Sequence, residues 1–117
     1  MTTFQLAALA LDGLTYNNAK VPLAEISYGG TLKTYLRYYT YLNTPQYFAD
    51  DFTQAEGDFG TIDIFSDQRN ALVELLPQIK QRLRDGHFTI GDTGPQQFEN
   101  DTKMYHLPIN IYHESEV

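Results

Sequence analysis

The sequence predicts an α+β fold: a mixed, mainly antiparallel sheet of about four strands with two helices packed on one face. Three observations carry that expectation. Two segments space their apolar residues at helical intervals, and three others alternate with the period of a strand. No linker, repeat, low-complexity tract or change of composition divides the 117 residues, so residues 1–117 read as one domain.

Phe4, Ala7, Ala8 and Leu11 fall at i, i+3, i+4 and i+7, one stripe of a short amphipathic helix. Asp12-Gly13 then supplies its stop, since glycine readily takes the left-handed conformation that ends helices. A weaker strand is expected over Glu25 to Tyr28, ahead of the Gly29-Gly30 turn. Thr34 to Leu42 is the strongest strand candidate: Tyr35, Arg37, Tyr39 and Tyr41 alternate with Leu36, Tyr38, Thr40 and Leu42. Both of its faces are bulky, so one is expected against a helix and the other against a neighbouring subunit. Thr61 to Phe65 is a shorter strand, with Ile62 and Ile64 on one face and Asp63 on the other.

Leu72, Leu75, Leu76, Ile79 and Leu83 form the second helical stripe, with Ser66 or Asp67 as its expected cap. Lys80, Arg82 and Arg84 complement the dipole near its end, and Gly86 follows as a stop. Pro77 is discordant: in mid-helix it removes a hydrogen bond and crowds the preceding turn, which predicts a kink or a split. Tyr105, Leu107, Ile109 and Ile111 alternate with His106, Pro108, Asn110 and Tyr112 as a last strand. Pro108 lacks an N–H, which predicts an edge or a bulge there.

Composition narrows the function. Nine Tyr and seven Phe without a single Trp favour surfaces that meet other proteins, because tyrosine pairs a large apolar ring with a polar tip. Cysteine is absent, which excludes disulfides, thiolate metal sites and a Cys nucleophile. The opening apolar run has no basic segment before it and ends at Asp12, so no signal peptide is expected. No run approaches the roughly 20 residues of a membrane span, and no membrane partner is expected. The net charge is −7. Asp50, Asp51, Glu56, Asp58, Asp63 and Asp67 lie between Arg37 and Arg69 with no base among them. Such a surface repels a phosphate backbone and argues against nucleic-acid binding by counterion release.

Catalytic constellations are not legible. His87, His106 and His113 show no metal-ligand spacing, and no Cys/His cluster exists. His106 and His113, seven apart on one strand, point to opposite faces. Ser27, Ser66 and Ser115 lie in no nucleophile elbow, and Asp50-Asp51 reads as a solvated pair rather than an acid–base dyad. Gly29-Gly30 has no Lys-Ser/Thr partner, so it reads as a turn and not a phosphate cradle. The expectation is a protein with no enzymatic activity, no cofactor and no metal.

Three stretches, in order, carry a resemblance. They are Tyr47-Phe48-Ala49-Asp50-Asp51 after the Tyr-rich strand, Thr61-Ile62-Asp63-Ile64-Phe65-Ser66 running into the second helix, and Glu99-Asn100-Asp101-Thr102-Lys103-Met104-Tyr105-His106 opening the last strand. Together they resemble the tail-terminator, or tail-completion, proteins of long-tailed bacteriophages and related prophages, over residues 26–114. The resemblance implies a hexameric ring of identical chains that caps the major tail-tube protein, ends tail polymerisation and meets the head-completion connector. It also implies assembly in the bacterial cytoplasm, a final place in the virion tail, and DNA passing through an acidic lumen without specific binding. Pro77 within the second helix and a Gly91-Asp92-Thr93-Gly94-Pro95 loop, where relatives commonly carry a shorter polar segment, depart from the family pattern.

Joined to the residues, this reading makes Tyr35, Tyr39 and Tyr41 candidates for burial between subunits. Asp50, Asp51, Glu56 and Asp58 become candidates for a mobile acidic loop facing the lumen or the tube. Asp101, Lys103, Tyr105 and His106 either tie a loop to the sheet or meet a neighbouring subunit. The motif order favours a terminator over a head-completion adaptor or a minor tail protein. From a different class, a small acidic inhibitor of a host DNA-binding protein would need its acids on one continuous face.

Overall fold

The computed structural model describes residues 2–26, 28–47 and 53–116, with residues 41–47, 53–56, 115 and 116 described as backbone only. Helix α1 (Thr3–Ala10) opens with a capping box. Thr2 Oγ1 accepts from the Gln5 N–H at 3.1 Å, and Gln5 Oε1 accepts from the Thr2 N–H at 2.8 Å. Gly13, at φ +85°, turns the chain into β1 (Thr15–Tyr16), which pairs with β2 (Ala19–Lys20). Asn17 and Asn18 both take positive φ, as a two-residue primed turn requires. Next come β3 (Leu23–Glu25), β4 (Thr34–Tyr47), β5 (Thr53–Ser66), α2 (Arg69–Asp85), β6 (Thr89–Thr93), β7 (Gln97–Glu99) and β8 (Met104–Glu116).

The main sheet has six strands in the order β3-β4-β5-β8-β6, with β7 also on β8. Only the β3–β4 pair is parallel. The α+β class, the two helices and the mainly antiparallel sheet agree with the sequence reading; the strand count is six rather than four. The two additional strands, β6 and β7, are short and polar, so neither gave a period-two signal. The weak strand placed at Glu25 to Tyr28 lies at Leu23–Glu25 instead.

Leu36 and Tyr38 of β4, Ile62 and Ile64 of β5, and Leu107, Ile109 and Ile111 of β8 all project to one side. There they share a single core with Ala7 and Leu11 from the α1 region and Ala71, Leu72, Leu75, Ile79 and Leu83 of α2. Burying each of these large side chains contributes roughly 1.5–3 kcal/mol. Among the described residues, neither α1 nor α2 covers the opposite side of the sheet.

Several local expectations need correction. Helix α2 is continuous through Pro77 and does not split. Pro77 and Val73, the residue whose carbonyl loses its partner, are both exposed, so water can satisfy that carbonyl. The N-cap is Gln68, whose side chain makes no capping bond; Ser66 Oγ instead accepts from the Gln68 N–H at 3.1 Å. Gly86 keeps an ordinary φ of −87°, and the left-handed residue is His87, at 69°. Gly86 is needed for close packing: a Cβ there would lie 3.0 Å from Ala10 Cβ.

Pro108 sits on an interior strand, not at an edge. Its carbonyl accepts from the Gly94 N–H at 2.8 Å, so its missing N–H falls at the break between β6 and β7, where no ladder bond is lost. The Gly91–Pro95 segment is not simply a loop, because β6 runs to Thr93.

Candidate interaction face and acidic arm

The side of the sheet away from the helices is built by the alternate residues of β4, β5 and β8. It carries Tyr35, Arg37 and Tyr39, then Phe59, Thr61, Asp63 and Phe65, then His106, Asn110 and Tyr112. Four rings stand in a row across it. Tyr28 stacks on Tyr35 at 4.3 Å, Tyr35 on Phe65 at 5.1 Å, and Phe65 on His106 at 5.2 Å. The row follows from strand register, since Tyr35 faces Phe65 and Phe65 faces His106 across the ladders.

An ion pair sits beside this row. Arg37 Nη2 donates to Asp63 Oδ2 at 2.8 Å, and its guanidinium lies 5.1 Å from the Phe65 ring and 5.5 Å from the Tyr39 ring. The Asp63 side chain is 5% exposed and that of Arg37 36%. Farther along, Thr61 Oγ1 donates to Asn110 Oδ1 at 3.1 Å, and Phe59 packs on Tyr112 at 4.6 Å. Burial pushes the Tyr35 phenol above its ordinary range, opposed by Arg37 and reinforced by Glu99 and Tyr28. His106 Nε2 lies 3.6 Å from Glu99 Oε1.

Beyond Tyr38, where β3 ends, and Tyr112, where β6 ends, β4, β5 and β8 continue together as a three-stranded arm. Fourteen-residue strands at roughly 3.3 Å per residue account for most of the 52 Å length of a molecule 27 Å and 24 Å across. The strand segments of the arm, residues 39–47, 53–60 and 113–116, contain Glu56, Asp58, Glu114 and Glu116 and no Lys or Arg. Glu56 and Asp58 therefore lie on β5, not in the mobile loop expected for them. Alternation Gly57-Asp58-Phe59-Gly60 was masked by its two glycines, which carry no side chain to mark a face. Asp58 accepts from the Thr3 hydroxyl of α1, which ties the arm's root to the helix layer. Asp50 and Asp51 lie outside the described residues.

The other sequence candidates divide. Tyr35 and Tyr39 stand on the helix-free face, half-buried. Tyr41 follows Thr40 at a register shift, where the alternation is interrupted, and its side chain lies outside the description. Asp101 and Lys103 are exposed in the turn joining β7 to β8, where Lys103 takes φ 59° and its N–H donates to the Glu99 carbonyl at 2.9 Å. Tyr105 turns toward the core and packs on Phe98, whereas His106 joins the ring row. His113 packs on Phe88, on the face opposite His106. Arg37, Asp63, Phe65 and Tyr28 were not among the sequence candidates. The signal for the first two was present: an arginine between two tyrosines of one strand face, and a lone acid between two core isoleucines.

Among the described residues, no group of three or more His, Cys, Asp and Glu is placed to hold a metal ion. Among the same residues, no helix is long and apolar enough to cross a membrane.

This chain matches no known family model and no curated protein. The functional reading therefore stands on the residues, their geometry and the order of the three motifs.

Proposed function

We propose that this protein is a structural assembly subunit of the tail-terminator kind: a ring of identical chains that caps a phage tail tube, ends its polymerisation and joins it to the head. The acidic three-stranded arm is the observation that carries the proposal. Its described strands hold four acids, Glu56, Asp58, Glu114 and Glu116, and no Lys or Arg. Such a surface lining a channel repels a polyanion and lets a genome pass without retention.

The helix-free face supports the same reading. Tyrosine, phenylalanine and arginine are the residue types that dominate protein–protein contacts. Here they stand on one sheet face while both helices cover the other. The second and third motifs fall at junctions, the passage from β5 into α2 and the turn between β7 and β8; of the first, only Tyr47, the last residue of β4, is among the described residues. Tail-tube protein polymerised in the presence of this chain should give shorter tubes bearing a density at one end. Tubes of unchanged length with bare ends would refute capping.

A further inference from the structure

Resting on that assembly reading and extending it, we propose that Arg37 anchors the contact between copies by taking a carboxylate from the acidic arm of a second chain. Among the described residues, Arg37 is the one Lys or Arg on the strands of the helix-free face. Its guanidinium is fixed in advance by Asp63 at 2.8 Å and by the Phe65 and Tyr39 rings. A side chain already held in place loses little freedom on binding, which favours it as an interface anchor.

The donors are not exhausted. A guanidinium has five N–H groups; one on Nη2 engages Asp63, while the Nε N–H is buried and has no hydrogen-bond partner, so a second acceptor would meet the exposed Nη end. More than a third of the side chain remains exposed, leaving an open side for a second carboxylate. Charge complementarity selects the occupant. The chain is acidic overall, and the strands of the arm carry Glu56, Asp58, Glu114 and Glu116 with no Lys or Arg, opposite in sign to Arg37. Glu114 is exposed on that arm and accepts from the Tyr112 hydroxyl at 3.1 Å, so its carboxylate is ordered.

Strand addition at the arm is the less suitable route. The outer edge of β4 has a register shift after Thr40 and carries Pro45, and both features discourage edge pairing. The proposed contact uses side chains across the face, since pairing along that β4 edge is discouraged.

Sedimentation equilibrium of the full chain, over a range of concentration and salt, tests this. Arg37→Gln combined with Asp63→Asn replaces the ion pair with an amide pair and leaves no buried carboxylate alone. Glu56→Gln, Glu114→Gln and Glu116→Gln together remove three of the charges on the strands of the arm. The wild-type chain should self-associate, more weakly at high salt. Each variant should associate about tenfold more weakly with its fold intact by circular dichroism. Combining the two sets should add little more, because both remove one contact. Undiminished association of either variant would overturn the Arg37 contact while leaving ring assembly standing. A wild-type chain monomeric at every concentration would overturn it too, with tube capping still testing the ring separately. Loss in the Arg37 variant alone would assign the carboxylate to a different protein and overturn the second-copy proposal.

Discussion

The Asp63 carboxylate accepts a 2.8 Å hydrogen bond from Arg37 on the side of the sheet that neither helix covers. Asp63 stands between Ile62 and Ile64, so the strand that supplies two core side chains also places this acid on the opposite face. Arg37 faces it directly across the β4–β5 ladder. The pair is thus a product of register, and it shields a carboxylate that would otherwise be desolvated without a counter-charge.

Arg37→Ala should consequently cost about 2–3 kcal/mol of stability. That is below the range for a fully buried pair, because 36% of the Arg37 side chain is exposed and water screens part of the interaction. Asp63→Asn, which keeps an acceptor for Arg37, should cost about 1 kcal/mol. Urea unfolding of the two variants gives the comparison, and equal losses would mean that the orphaned carboxylate is not the dominant effect.

Two glycines of β5 should respond unequally to alanine. A Cβ on Gly60 would lie 2.8 Å from the Tyr39 carbonyl oxygen, a backbone atom that cannot move without disturbing the β4–β5 ladder. A Cβ on Gly57 would meet the Tyr112 ring at 2.5 Å, but that ring belongs to a partly exposed side chain that can swing aside. Gly60→Ala should lose about 2–3 kcal/mol and Gly57→Ala about 1 kcal/mol or less. Thermal melts would show the order; a larger loss at Gly57 would mean that Tyr112 is locked.

Alkaline pH should destabilise the protein through its tyrosines. Burial raises the Tyr38 phenol above the ordinary value of 10.0, with the Thr40 hydrogen bond acting in the opposite direction and Asp58 and Glu25 reinforcing the rise. Burial likewise raises Tyr35. An acid whose folded pKa exceeds its unfolded one holds its proton more tightly when folded. Its contribution is therefore complete below pH 10 and is lost as pH climbs through and beyond that value. Tyr38→Phe should lose about 1 kcal/mol at neutral pH with the Thr40 hydrogen bond, which is 2.7 Å long, and should flatten the alkaline decline. Urea titrations at neutral and alkaline pH measure both effects; an alkaline decline as steep as the wild type's would remove Tyr38 as a cause.

Hydrophobic periodicity made the core strands and α2 legible: Leu36 and Tyr38, Ile62 and Ile64, Leu107, Ile109 and Ile111, and the leucines of α2 all face the interior as their spacing predicts. Pro77 misled because the rule for a helix interior assumes that the freed carbonyl is buried, whereas Val73 faces water. The β1–β2 hairpin could have been found from Asn17-Asn18, a pair suited to positive φ between two short runs. The arm was hidden for a different reason. Pro45, Gly57 and Gly60 break the expected strand chemistry in segments whose backbone nevertheless pairs along the β4–β5 ladder. Tyr35, Tyr39 and His106 were legible as face residues, but Arg37 and Asp63 acquire their significance only from the register that sets them opposite each other.

Electron microscopy of particles produced after interruption of this reading frame in its phage or prophage tests the assembly reading most directly. Overlong, headless tail tubes beside filled heads are expected, because polymerisation would no longer be stopped and tubes no longer joined to heads. Tails of normal length detached from heads would place the protein on the head side of the joint. Intact, infectious particles would contradict a role in assembly altogether.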